Sequence, residues 1–106
     1  MRISGMKIRT LISSEHNIKA SDLKLVNDSG IIIVELTGTR NKNWKFIYQI
    51  KSIMRGQKKL ELIILCDNSF PIRRFIDGDE DISPNLCQII DNKCKCQLYD
   101  ILDIFS

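Results

Sequence analysis

An α+β domain with a mixed sheet is what this sequence predicts, and three observations carry that expectation. Short apolar runs rich in isoleucine and valine are separated by turn residues, a long stretch between two of them has helical spacing, and a second helical spacing closes the chain. At 106 residues the chain has room for one core and not two, so it reads as a single domain over 1–106, with residues 1–5 an extension ahead of Met6.

The elements follow in order. Residues 6–12 alternate Met6 and Ile8 with Lys7 and Arg9, as a half-buried strand does. Residues 23–26 and 31–36 flank Asn27, Asp28, Ser29 and Gly30, turn-forming residue types that predict a hairpin. Ile31, Ile32, Ile33 and Val34 leave no polar face, which suits a central strand covered on both sides. Thr37, Gly38, Thr39, Arg40 and Asn41 break that strand, with Thr39 or Asn41 placed to cap a helix.

Within 42–55, Ile47, Ile50 and Met54 share a helical face that Phe46 and Ile53 extend, and Gly56 ends it. Residues 60–66 read as another buried strand. Strand, helix and strand in that order imply a crossover between parallel strands. Residues 67–84 look irregular. Beyond them, Asp91 and Asn92 suit a turn joining 86–90 to 93–98 as a C-terminal hairpin. Leu98, Ile101, Leu102 and Phe105 recur as on a short terminal helix.

Hydrophobic residues make up 43% and charged residues 27%, proportions of a globular chain. The N-terminal residues lack the apolar stretch of a secretory signal, and the longest apolar runs are far too short to span a bilayer. These features place the protein in the cytoplasm, away from membranes, with its four cysteines reduced or metal-bound. The net charge of +3 is unevenly spread: residues 40–60 hold seven basic and no acidic side chains, whereas 61–106 hold four basic and nine acidic.

That basic segment supplies the leading candidate site. On a helix, Trp44, Tyr48, Lys51 and Arg55 form one stripe in which two aromatics and two cations share a face. Such a face suits a small non-catalytic binding or accessory protein that captures another protein. It suits nucleic acid equally, because rings stack on bases and cations neutralise phosphates, with RNA or single-stranded DNA the forms that expose bases. The loop of Gly38, Thr39 and Arg40 is a second candidate, an anion site at the start of the predicted helix.

A third candidate is metal. Cys66, Cys87, Cys94 and Cys96 offer four thiolates for zinc or an iron–sulfur centre, although no pair has the spacing common in structural zinc sites. In the predicted hairpin register Cys87 lies opposite Cys96 on one face, a pattern that core thiols explain without metal. The acidic cluster Asp77, Asp79, Glu80 and Asp81 lacks the glycine and terminal glutamate of an EF-hand loop. The single histidine, His16, has no nucleophile or metal-ligand motif around it, and Cys66 beside Asp67 has no base placed near it in sequence. The sequence therefore reads as a binder rather than an enzyme.

Overall fold

The computed structural model describes residues 4–37 and 43–105. Alternation builds the first strand as expected: in β1 (Gly5–Ser14), Met6, Ile8, Thr10 and Ile12 are buried while Lys7 points to solvent. The chain continues through α1 (Ala20–Asn27), β2 (Ile32–Leu36), β3 (Asn43–Gly56), β4 (Lys59–Asp67), α2 (Ile72–Asp77), β5 (Ile82–Ser83), α3 (Leu86–Ile90) and β6 (Cys94–Phe105). Among the described residues the strands form one six-stranded sheet in the order β5-β2-β3-β4-β1-β6.

The α+β class holds, and a strand–helix–strand connection is present as β1–α1–β2, with β4 and β3 between its two strands, which run antiparallel to each other. Its helix is not the one the spacing suggested. Residues 43–56 form β3, joined to β4 by the two residues Gln57 and Lys58, so the strands flanking that turn are antiparallel neighbours. Every pairing among the described strands is antiparallel, where a mixed sheet was expected.

The physical reason is a β-bulge. Ile47 pairs with Cys66 and Ile50 with Ile64, so three residues on β3 span what two span on β4, and Tyr48 is the extra one. Both isoleucines thus point to the buried face although they lie three apart, a spacing that mimics a helix turn. In β6 the same device acts twice: Cys96 and Tyr99 oppose Ile12 and Thr10, and Ile101 and Ile104 oppose Ile8 and Met6. The expected terminal helix is accordingly the second half of β6.

Two further expectations change. Residues 23–26 belong to α1, whose first turn is fixed by the Lys19 amide donating to Asp22 Oδ2 at 2.9 Å, so no hairpin joins them to 31–36. Residues 86–90 form α3 rather than a strand. Asn85 and Gln88 close its start reciprocally: the Gln88 amide donates to Asn85 Oδ1 at 3.0 Å, and the Asn85 amide donates to Gln88 Oε1 at 3.1 Å. The region 67–84 contains α2 and β5. Gly78 ends α2 at φ 86°, and a Cβ there would stand 2.9 Å from Cys87 Sγ.

All three helices pack on one face of the sheet. Val26 from α1, Phe75 and Ile76 from α2, and Leu86 and Ile90 from α3 form a single core with Ile8, Val34, Ile47, Leu62 and Ile64. Among the described residues no helix covers the other face. Ile33, expected inside a doubly covered strand, is 56% exposed there. None of these helices is long and apolar enough to cross a membrane.

Candidate functional site

The uncovered face gathers the basic and aromatic side chains that the sequence placed on a helix. Before the bulge at Tyr48 the even-numbered residues of β3 face outward, and after it the odd-numbered ones do. Trp44 and Phe46 therefore share a face with Gln49, Lys51 and Ile53, and Trp44 is 53% exposed. The Phe46 and Tyr48 rings are stacked, with centroids 6.3 Å apart and planes 19° from parallel.

Asp67, at the end of β4, holds the bulge. Its Oδ2 accepts from the Phe46 amide at 2.7 Å and its Oδ1 from the Tyr48 hydroxyl. The hydroxyl is thereby pushed up to about 12, chiefly because its proton is held by the carboxylate and secondarily by partial burial. Tyr48 stays a neutral phenol under ordinary conditions, fixed in place as the end of an aromatic row.

Further along the same face lies a buried carboxylate. Glu61 on β4 is only 4% exposed, and its Oε1 accepts from Arg9 of β1 and from Arg55 of β3, each at 3.1 Å. The two guanidiniums hold the carboxyl below its ordinary range, with Arg55 the larger influence. Two cations on one anion leave a net positive charge. They border a cavity of about 620 Å³ floored by Leu11, Ile12 and Leu60, with Lys59 at its margin. A second cavity of about 480 Å³ is lined by Lys7, Gln49, Lys51 and Leu65 on the same side.

The four predicted stripe residues thus lie along one strand, although not at helical positions. Trp44 and Tyr48 stand at one end, Lys51 in the middle and Arg55 at the other. Sequence reasoning missed Lys7, Arg9 and Phe46 as neighbours of this stripe. The first two were legible as the solvent side of an alternating strand, but their approach to β3 requires knowing that β4 alone separates β1 from β3. Gly38, Thr39 and Arg40 lie outside the described residues.

The four thiols do not converge. Cys66 pairs with Met6 at one end of β1 and Cys94 pairs with Ser14 at the other, a separation of roughly 26 Å along an extended strand. Cys87 sits on α3, where its sulfur accepts from the Cys94 amide at 3.3 Å, and Cys96 Sγ lies 3.4 Å from Thr10 Oγ1. Burial first, and a neighbouring Asp67 or Cys87 second, pushes Cys66 and Cys94 up to about 12. Both are protonated thiols packed in the core. Among the described residues no group of three or more histidine, cysteine or acidic side chains is placed to hold a metal.

The acidic cluster is used locally as well. Asp77 Oδ1 accepts from the Cys96 amide at 2.8 Å, and Asp79 Oδ2 accepts from Arg74 at 2.9 Å. His16 contributes its backbone, whose amide and carbonyl are both bonded to the Asn92 side chain.

No family model matches the chain. Parts of three named proteins do resemble it. Over 82 residues, 77% of the chain, it is 33% identical to a protein of Nitrosopumilus maritimus named tRNA pseudouridine synthase Pus10. Over 105 residues it is 24% identical to the protein of the same name from Korarchaeum cryptofilum, and over 59 residues 30% identical to that of Methanocaldococcus jannaschii. The chain spans 21% of the length of the first relative and 28% of the second.

Proposed function

We propose that this domain binds RNA, with tRNA the favoured class, through the uncovered face of its sheet. The observation that carries the reading is the row formed by Trp44, Phe46 and Tyr48, which runs into Lys51, Lys7 and the Arg9–Glu61–Arg55 group. Aromatic rings on a rigid sheet present π-faces to unstacked bases, and neighbouring cations take the phosphates. The similarity to proteins named tRNA pseudouridine synthase supports RNA over an acidic protein as the ligand, and gives no support to a protein partner on this face.

Within this reading the side chains divide the work. Trp44 is the most exposed ring of the row and stacks on a base, while Tyr48, tied to Asp67, sets the position of Phe46. Lys51 and Lys7 supply the cations for phosphate contacts, although Asp103, the cross-strand partner of Lys7, lines the same cavity. Arg9 and Arg55 are oriented by Glu61, which fixes their guanidiniums beside the cavity before any ligand arrives. No residue here is assigned a step in base isomerisation; the domain supplies binding and orientation.

Fluorescence anisotropy with labelled tRNA tests the proposal. Trp44→Ala removes one stacking surface and should weaken binding by about 1–3 kcal/mol, roughly 5- to 150-fold. Lys51→Glu should weaken it further, with the thermal melt of both variants unchanged. Unaltered affinity in both would remove this face as the interface.

A further inference from the structure

The cavity beside Glu61 joins an apolar floor to a cationic rim. Leu11 stands opposite Glu61 across the β1–β4 pair, on the open face, and with Ile12 and Leu60 it makes the floor. Arg9, Arg55 and Lys59 surround it, three cations against one carboxylate among the lining residues. Arg55 owes its place to a bulge: Met54 pairs with Leu60 and Gly56 with Lys59, so Arg55 is an extra residue whose side chain is re-aimed. All the Arg9 and Arg55 bonds fall on Oε1 of Glu61, yet the two arginine side chains remain 39% and 52% exposed. Their guanidiniums are oriented without being consumed.

The far rim is polar and fixed as well. Gln97 is the extra residue of the first β6 bulge, and its Nε2 donates to Ser13 Oγ at 2.6 Å. At about 620 Å³ the cavity falls within the range, roughly 300–1,000 Å³, of pockets that enclose small ligands. An apolar floor with cations on one side and neutral hydrogen-bonding groups on the other matches a molecule with a flat apolar face, a polar edge and one anionic end. A nucleotide has that chemistry. In a duplex the faces of a base are covered by its stacked neighbours, so only an unstacked base can lie on such a floor.

We infer that this cavity is a subsite for one unstacked nucleotide of the bound RNA, its base against Leu11 and its phosphate at Arg55 and Lys59. The inference rests on the RNA reading of the open face and adds a selection to it, for unpaired over paired RNA. Arg9 contributes less to the phosphate, because Asp100 lies opposite it on β6 and offsets its charge. Glu61 is a positioning residue that acts through the two guanidiniums. The subsite and Trp44 lie at opposite ends of β3, so a single strand laid along β3 meets a stacking ring at one end and an enclosed pocket at the other.

Two probes of the whole chain test it: a short labelled single-stranded RNA, and the same RNA annealed to its complement. Affinities are read by fluorescence anisotropy, and NMR follows the Leu11 methyl and Trp44 indole signals. The expected result is that annealing weakens binding about tenfold and that the Leu11 methyls shift with the single strand and not with the duplex. Leu11→Ala should weaken single-strand binding about fivefold while changing duplex binding less than about twofold, which narrows the preference. Lys59→Gln, which leaves the Glu61 ion pairs intact, should lower the salt slope of single-strand binding by about 1. A Trp44 signal that shifts with the single strand while Leu11 stays still would overturn the subsite and leave RNA binding on the open face standing. Silence of both signals would remove both readings. Leu11 shifts with adenosine monophosphate but with no RNA would assign the pocket to a free nucleotide and overturn its place in RNA binding.

Discussion

The two faces of the sheet use the same strands for different ends. On the covered face Ile8, Val34, Ile47, Leu62 and Ile64 have no exposed surface and meet the apolar sides of three helices. On the open face the same strands present Trp44, Lys51, Arg9 and Arg55, and Glu61, the one buried carboxylate among the described residues, is neutralised by two guanidiniums. One face supplies the free energy of folding through apolar burial, and the other can carry charge and aromatic surface because it is not asked to do so. Perturbations should therefore separate: covered-face changes should cost stability first, and open-face changes should cost binding first.

The largest stability effect is expected from Leu62→Ala, which opens a cavity beneath the helices at a cost of about 2–5 kcal/mol, read as a lowered urea midpoint. Asp67→Asn sharpens the contrast on the open face. It removes the negative charge that retains the Tyr48 proton, so the phenol that now titrates at about 12 should fall toward the ordinary value of 10 in an ultraviolet titration.

Glu61 gives a pH test with a fixed sign. Because its folded value lies below the ordinary 4.5, its ion pairs contribute fully above that pH and are lost as the pH falls below it. The stability difference between the native chain and Glu61→Gln should therefore be constant near neutrality and shrink in acid. Ile33→Thr lies at the small end: Ile33 is 56% exposed on the open face, so the unfolding free energy from a urea titration should change by no more than about 0.5 kcal/mol.

Much of the fold was legible where the strands are regular. β1 alternates plainly, and 31–36 and 60–66 are short β-branched or leucine-rich runs that became β2 and β4. Where bulges intervene the pattern misleads, because one extra residue turns a spacing of two into three. Ile47 and Ile50 in β3, and Ile101 and Ile104 in β6, then carry a helix-like interval while facing the same side of a sheet. Residues 86–90 were misread for another reason: a five-residue helix shows too little period to distinguish it from a strand, and its Asn85–Gln88 capping pair was the available signal.

The candidate site was half legible. Trp44, Tyr48, Lys51 and Arg55 were grouped by helical geometry, and the bulge at Tyr48 groups them again by strand geometry. Their partnership with Lys7 and Arg9 depends on β1 returning beside β4, a long-range pairing that local spacing does not encode. The cysteines show the converse. Cys66 was grouped with the three C-terminal cysteines as one ligand set, and the sheet holds it apart from them, with Cys66 and Cys94 at opposite ends of β1.

The salt dependence of tRNA binding tests the open-face account most directly. Phosphate contacts release counterions, so the logarithm of affinity should fall linearly with the logarithm of salt concentration, and Lys7→Glu with Lys51→Glu should flatten the slope by about 2. A native chain that fails to bind tRNA at low salt, or a doubly reversed variant that keeps both its affinity and its slope, would contradict it.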